Sequence, residues 1–296
     1  MAHRSGSAAT SVRSMPHLIS PTELRSLIDS GAPVRVLDVR WRLGQADGRL
    51  RYEESHIPGA VYVDMDSELA AHPASPSEGR HPLPSEAAFQ DSVRRWGIDD
   101  GDTIVVYDDA LGISAGRAWW LLRFAGMEDV RLLDGAFSAW RAAGLSLESG
   151  RREVPRGSAT VRFGSLPVVD MDAAARIPDD GVLIDVRARE RYRGDTEPVD
   201  PVPGHIPGAV NVPGAELLDA DGRLLPADVL RERFTALGVR DDRPLAVYCG
   251  SGVSASHGVL ALTVAGFSPA LYLGSWSQWS NTPGRPVATG DAPFGD

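Results

Sequence analysis

Cysteine is nearly absent: Cys249 is the only one among 296 residues. A single thiol excludes any intramolecular disulfide and any cysteine-based zinc cluster. The seven histidines show no paired metal-ligand spacing, so we expect no metal, and no motif calls for an organic cofactor. Long apolar runs are missing too, and none approaches the roughly 18 residues that span a bilayer. The Ser/Ala-rich stretch 1–14 lacks the apolar block of a secretory signal. It reads as a disordered tail, or as an extension upstream of a start near Met15, and the expected compartment is the cytoplasm. Basic residues are in deficit, with 30 Lys and Arg against 40 Asp and Glu and a formal net charge of −10. That balance argues against nucleic acid or an acidic membrane as partner, while leaving room for a local basic pocket that takes a small anion.

What is present is an ordinary globular composition, 43% hydrophobic and 24% charged, on a chain long enough for two domains. Comparing the chain with itself shows why there are two. Val34-Arg-Val-Leu-Asp38-Val-Arg40, His56-Ile-Pro-Gly-Ala-Val61 and Val105-Val-Tyr107 return as Val182-Leu-Ile-Asp185-Val-Arg187, His205-Ile-Pro-Gly-Ala-Val210 and Ala246-Val-Tyr248. Both halves continue into Gly-Ile/Val-Ser-Ala, then an Ala-Gly pair, then a Gly followed five residues on by Trp140 or Trp279. The chain is a tandem duplication.

Each copy reads as α/β. Short Val/Ile/Leu runs predict buried strands at Val34–Leu37, Ile104–Tyr107 and Val130–Leu133, and at Val182–Ile184, Leu245–Tyr248 and Ala270–Leu273. Helical patterns cover Pro84–Trp96, Ser114–Phe124, Pro226–Leu237 and Ser254–Val264. Such alternation predicts, in each copy, an open and mainly parallel sheet with helices on both faces. The expected organisation is a tail (1–14), a first domain (15–145), a polar Gly/Pro-containing linker (146–164) and a second domain (165–296).

Duplication supplies an internal control, because features found in one half only are candidates for chemistry. After the shared Val-Tyr strand the first copy has Asp108-Asp109-Ala-Leu-Gly112, and the second has Cys249-Gly250-Ser251-Gly252. Ligands of open α/β sheets bind beyond the carboxyl ends of the strands. Gly250 and Gly252 let the backbone turn its N–H groups inward as an anion-binding nest. The helix opening at Val253 and Ser254 adds its positive end. Together these favour thiolate over thiol and would stabilise a persulfide. Asp108 cannot accept sulfur, so the first domain is expected to be catalytically silent. The same loop fits the dinucleotide pattern G-x-G-x-x-A, but that reading needs an acidic residue about 20 positions on. None occurs between Asp242 and Asp291.

The loop Cys249-Gly-Ser-Gly-Val-Ser-Ala255, the two His-Ile-Pro-Gly-Ala segments and the Asp-Val-Arg landmarks resemble those of tandem-domain sulfurtransferases of the rhodanese superfamily. The cysteine loop is most similar to that of 3-mercaptopyruvate sulfurtransferases. The resemblance runs from about His17 to Thr289. It implies two tandem rhodanese-like domains and transfer of a sulfane sulfur through a Cys249 persulfide. The donor would be 3-mercaptopyruvate or, alternatively, thiosulfate, and the acceptor cyanide or a thiol such as thioredoxin. It also implies roles for single residues. Ser251, with a histidine and an aspartate of the first domain matched to His56 and Asp47, would move protons to the leaving enolate. Arg191, without a counterpart in the first copy, would hold the donor carboxylate, and Trp41 would wall the pocket. Gly250, Gly252, Val253 and Ser254 would line it. Arg187, duplicated as Arg40, is expected to pair internally with Asp185. One departure stands out: Glu197-Pro-Val-Asp200-Pro-Val-Pro203 carries no basic residue where such enzymes commonly have a second arginine.

Two rivals are weaker. A cysteine phosphatase needs an arginine six positions after the cysteine, and position 255 is Ala. A non-catalytic interaction module has no need of a thiol in a glycine-rich nest.

Overall fold

A computed structural model describes residues 16–296; the expectations for the stretch 1–14 and for Met15 lie outside the described residues. Five parallel strands build the first sheet: β1 (Leu18–Ile19), β2 (Val34–Asp38), β3 (Val61–Tyr62), β4 (Thr103–Tyr107) and β5 (Val130–Leu133). Their spatial order is β1-β5-β4-β2-β3. The second sheet repeats it with β6 (Val168–Val169), β7 (Val182–Asp185), β8 (Val210–Asn211), β9 (Leu245–Tyr248) and β10 (Ala270–Tyr272), ordered β6-β10-β9-β7-β8. Even the register is shared, since Asp38 lies opposite Tyr107 and Asp185 opposite Tyr248. All pairings are parallel. Parallel strands need crossover connections, and these place helices on both faces of each sheet.

The long central strands fall where apolar runs predict them. The two-residue strands β1, β3, β6 and β8 are too short to carry a period. All four are held by their neighbours, β1 for example by the pairing of Leu18 with Leu132. The predicted helices appear as Glu86–Arg95, Ile113–Phe124, Ala227–Ala236 and Val253–Val264. The two helices that follow the Asp108 and Cys249 loops are buried along nearly their whole length. They pack on each other between the domains so closely that a methyl on Gly116 would meet His257 Cα at 2.9 Å. Helices buried all round lack an amphipathic stripe. One apolar core runs through this contact and includes Trp119, Leu122, Val259 and Leu262. Each sheet keeps a separate core on its other face, around Trp140 in the first domain and Trp276 in the second. The first domain and the cysteine domain are thereby packed against each other.

Residues 146–164 run extended along the first domain. His56 N donates to Glu148 O (2.8 Å), Ala159 N to Ile98 O (3.1 Å) and Arg162 N to Ala125 O (3.0 Å). The backbone of this irregular segment thus finds its partners among first-domain N–H and C=O groups. Among the described residues no helix is long and apolar enough to cross a membrane.

Candidate active site

Cys249 follows β9 directly and is 2% exposed. Its carbonyl accepts from Trp276 N (2.9 Å) and the Gly250 carbonyl from Ser277 N (2.8 Å). With these two carbonyls bonded to the helix Ser275–Ser280, Gly252 N donates to Cys249 Sγ over 3.2 Å. Gly252 has φ +81°, and a methyl there would lie 2.6 Å from Leu273 O, so the turn tolerates only glycine. The helix Val253–Val264 begins at once, with its N-terminal dipole end against the sulfur.

The first domain shows what such a nest holds. Asp108, which takes the place of Cys249, is wholly buried. Its Oδ1 accepts from Ala110 N and Gly112 N and its Oδ2 from Ser114 N and Ala115 N, at 2.8–3.0 Å. Burial pushes the carboxyl up and these four N–H groups pull it back. An aspartate carries its anionic oxygens two bonds beyond Cβ, as a cysteine persulfide carries its outer sulfur. The first nest therefore contains a built-in analogue of a persulfide anion.

Beside the thiol, Ser251 Oγ lies 2.8 Å from His81 Nδ1. Asp66 Oδ1 is 3.7 Å from His81 Nε2 and accepts a hydrogen bond from Trp41 Nε1 at 3.0 Å. Trp41 also packs edge-on against the imidazole, with 5.4 Å between centroids. Burial, helped by Arg117 and Arg80, pushes the His81 pKa down to about 4. At neutral pH the ring is uncharged, and with Nε2–H toward Asp66 its Nδ1 accepts from the Ser251 hydroxyl. Arg117 is fully buried, with its pKa pushed down to about 10 by burial. Its Nη2 donates to Leu69 O (3.2 Å) and His81 O (3.1 Å), which fixes the His81 backbone.

A rhodanese-like domain model matches residues 20–143 and again 170–282. The chain belongs to the rhodanese family. It is 45% identical over 278 residues to SseB of Mycobacterium tuberculosis, a protein named for thiosulfate sulfurtransferase activity, covering 93% of this chain and 98% of that one. It is also 45% identical over 266 residues to a Pseudomonas aeruginosa protein named for 3-mercaptopyruvate sulfurtransferase activity, covering 86% and 92%. The crystal structure of the Escherichia coli 3-mercaptopyruvate sulfurtransferase SseA superposes with a TM-score of 0.78 at 34% identity, over 88% of this chain and 99% of that one. The two-domain α/β architecture is that of the rhodanese fold.

Three assignments made from the sequence need correction. His56 is not beside Ser251. It stacks on Tyr52 at 4.2 Å and its Nδ1 bonds Tyr52 O, as His205 stacks on Tyr192 at 3.7 Å and bonds Tyr192 O. Both histidines lock the rhodanese-domain loop that contains them. Asp47 is likewise not in the relay; it precedes the helix Gly48–Glu54 and pairs with Arg51 at 3.2 Å. The histidine that reaches Ser251 is His81, and the aspartate on its far side is Asp66. Nor is Arg191 without a counterpart. Tyr52 OH bonds Ala60 O as Tyr192 OH bonds Ala209 O, so Arg51, just before Tyr52, is its duplicate. Arg51 is ion-paired with Asp109 in a first-domain cleft of about 350 Å³ that also holds Arg42 and Arg141. Arg187 pairs with Asp185 at 2.7 Å, as Arg40 does with Asp38 at 2.8 Å.

The internal control could have found His81. Gly79-Arg80-His81-Pro82-Leu83-Pro84 in the first copy corresponds to Gly222-Arg223-Leu224-Leu225-Pro226 in the second. His81 is present in one half only, whereas His56 is in both.

Proposed function

We propose that this rhodanese-family protein is a cytoplasmic sulfurtransferase that takes sulfane sulfur from 3-mercaptopyruvate onto Cys249 and passes it to cyanide or a small thiol. The observation that carries the reading is the asymmetry of the two nests. One is filled by a carboxylate that takes four N–H bonds; the other holds a thiol, leaving its inward N–H groups for a second sulfur.

The chemistry balances without a cofactor. Cys249 thiolate attacks the donor sulfur, the S–S bond forms and the donor C–S bond breaks, with its electron pair leaving on the enolate of pyruvate. The donor thiol proton, now on the persulfide, passes through the Ser251 hydroxyl and His81 to the enolate carbon. Pyruvate leaves, and the persulfide remains as an anion in the nest. The acceptor then attacks the outer sulfur and Cys249 departs as thiolate. Gly250, Gly252, Val253 and Ser254 supply the backbone around the outer sulfur, and Trp41 with Asp66 holds the His81 ring. Arg191 presents a guanidinium to the donor carboxylate.

Mercaptopyruvate is preferred to thiosulfate as donor because the loop beside the thiol is neutral and a proton relay serves a carbon leaving group. Steady-state thiocyanate formation tests the proposal. Parallel double-reciprocal lines with mercaptopyruvate and cyanide, and loss of turnover in Cys249→Ser, are expected. Turnover retained in Cys249→Ser would end it.

A further inference from the structure

Two guanidinium groups, one from each domain, face the bare α-carbon of Gly250. A methyl built there would lie 3.3 Å from Arg80 Nη2 and 3.6 Å from Arg191 Nη1. Gly250 adjoins Cys249, so an anion held by these groups sits next to the thiol. The segment carrying Arg80 is anchored to the second domain, since Arg80 N donates to Ser277 Oγ at 3.0 Å.

Both cations already have acidic partners. Asp200 bridges them, with Oδ1 2.5 Å from Arg80 Nη1 and Oδ2 3.3 Å from Arg191 Nη2. Glu197 takes the Arg191 fork, at 3.2 Å from Nε and 2.6 Å from Nη2, and is shared with Arg187 at 3.3 Å. The side chains of Asp200 and Glu197 are only 1% and 2% exposed, so water screens them little. Arg80, Arg187 and Arg191 are thus matched by Asp185, Glu197 and Asp200, and this wall of the pocket is neutral. Arg80 Nε is buried without a hydrogen-bond partner.

We propose that Arg80 and Arg191 together form the seat for the anionic end of the sulfur donor, and that Asp200 determines its charge specificity by favouring singly charged carboxylate donors over doubly charged ones. The proposal rests on the sulfur-transfer reading above and refines it. Asp200 itself shows that one carboxylate can span both guanidinium groups. Coulomb energy is linear in ligand charge, so Asp200 repels a dianion twice as strongly as a monoanion at the same place. Affinity is exponential in that energy. The factor lost by the dianion is therefore the square of the factor lost by the monoanion.

Asp200→Asn keeps the shape and removes the charge. KM and kcat are measured for mercaptopyruvate and for thiosulfate, with cyanide as acceptor, at low and at raised ionic strength. We expect KM to fall about threefold for mercaptopyruvate and about tenfold for thiosulfate, with kcat little changed and both effects reduced by salt. Arg80→Met should raise both KM values with the same squared relation, and it decides the matter should Asp200→Asn fail to fold. Equal factors for the two donors, or unchanged KM values in a folded variant, overturn the charge-selection role while leaving the sulfur-transfer reading intact. Wild-type protein that turns over neither donor overturns both.

Discussion

Removing the Ser251 hydroxyl should separate the two donors. In the proposed relay, a neutral His81 with its pKa pushed down to about 4 accepts from Ser251 across 2.8 Å. Only a carbon leaving group needs the proton that this pair would move. The enolate expelled from mercaptopyruvate must be protonated, whereas sulfite expelled from thiosulfate is a stable anion. Positioned proton transfer contributes about a hundred- to ten-thousandfold to a rate. Ser251→Ala should therefore lower kcat with mercaptopyruvate at least about a hundredfold, and with thiosulfate by a factor of only about two or three, since the donor N–H groups of the nest remain. The substitution also leaves His81 Nδ1 buried and unpaired, which costs about 1–3 kcal/mol of stability. Thermal unfolding must accordingly show that the variant is folded at the assay temperature. Thiocyanate formation at saturating cyanide measures both donors in one assay, and Ser251→Thr, which keeps a hydroxyl, should recover part of the mercaptopyruvate rate. An equal loss with both donors would refute the relay and leave Ser251 as a packing residue.

Acid should weaken the fold through buried histidines. Burial pushes His81 and His257 down to about 4 from an ordinary 6.5, so between those values the unfolded chain takes up protons before the folded one and stability falls as pH falls. At pH 5 each histidine costs about 2 kcal/mol relative to neutral pH. Asp38, pushed up to about 6 by burial, acts in the opposite sense, so the informative quantity is the difference between wild type and His257→Gln in urea midpoint at pH 5 and pH 8. A difference that does not change with pH would contradict the assignment. In the first-domain nest, Asp108→Asn sets an amide N–H₂ against two of four backbone donors and should cost about 3 kcal/mol of stability, read as a lower unfolding midpoint. Full stability in that variant would show that the nest does not require an anion.

Much of this architecture was legible because the chain repeats itself. Strands such as Val34–Asp38 and Leu245–Tyr248 are buried apolar runs bounded by turns, and their common order with intervening helices dictates a parallel sheet. The four two-residue strands were not legible, because two residues carry no period and exist only through the neighbours that pair with them. At the site, the Cys249 loop stood out by differing from Asp108-Asp109. The relay was misplaced because His56 lies in a conspicuous motif, although a motif present in both halves more often locks a loop. His81 lies in an irregular segment, and it reaches Ser251 only because Gly79–His81 packs against the second domain, where a methyl on Gly79 would lie 3.0 Å from Gly274 O. No local pattern encodes that contact between domains. Arg80 was invisible for the same reason.

Mass measurement of the Cys249 peptide tests the central claim most directly. After one equivalent of mercaptopyruvate, without acceptor, the peptide should gain the mass of one sulfur atom as pyruvate is released in equal amount. The gain should disappear on adding cyanide and be absent in Cys249→Ser. Pyruvate release with no added sulfur on Cys249, or turnover without that residue, would contradict the account.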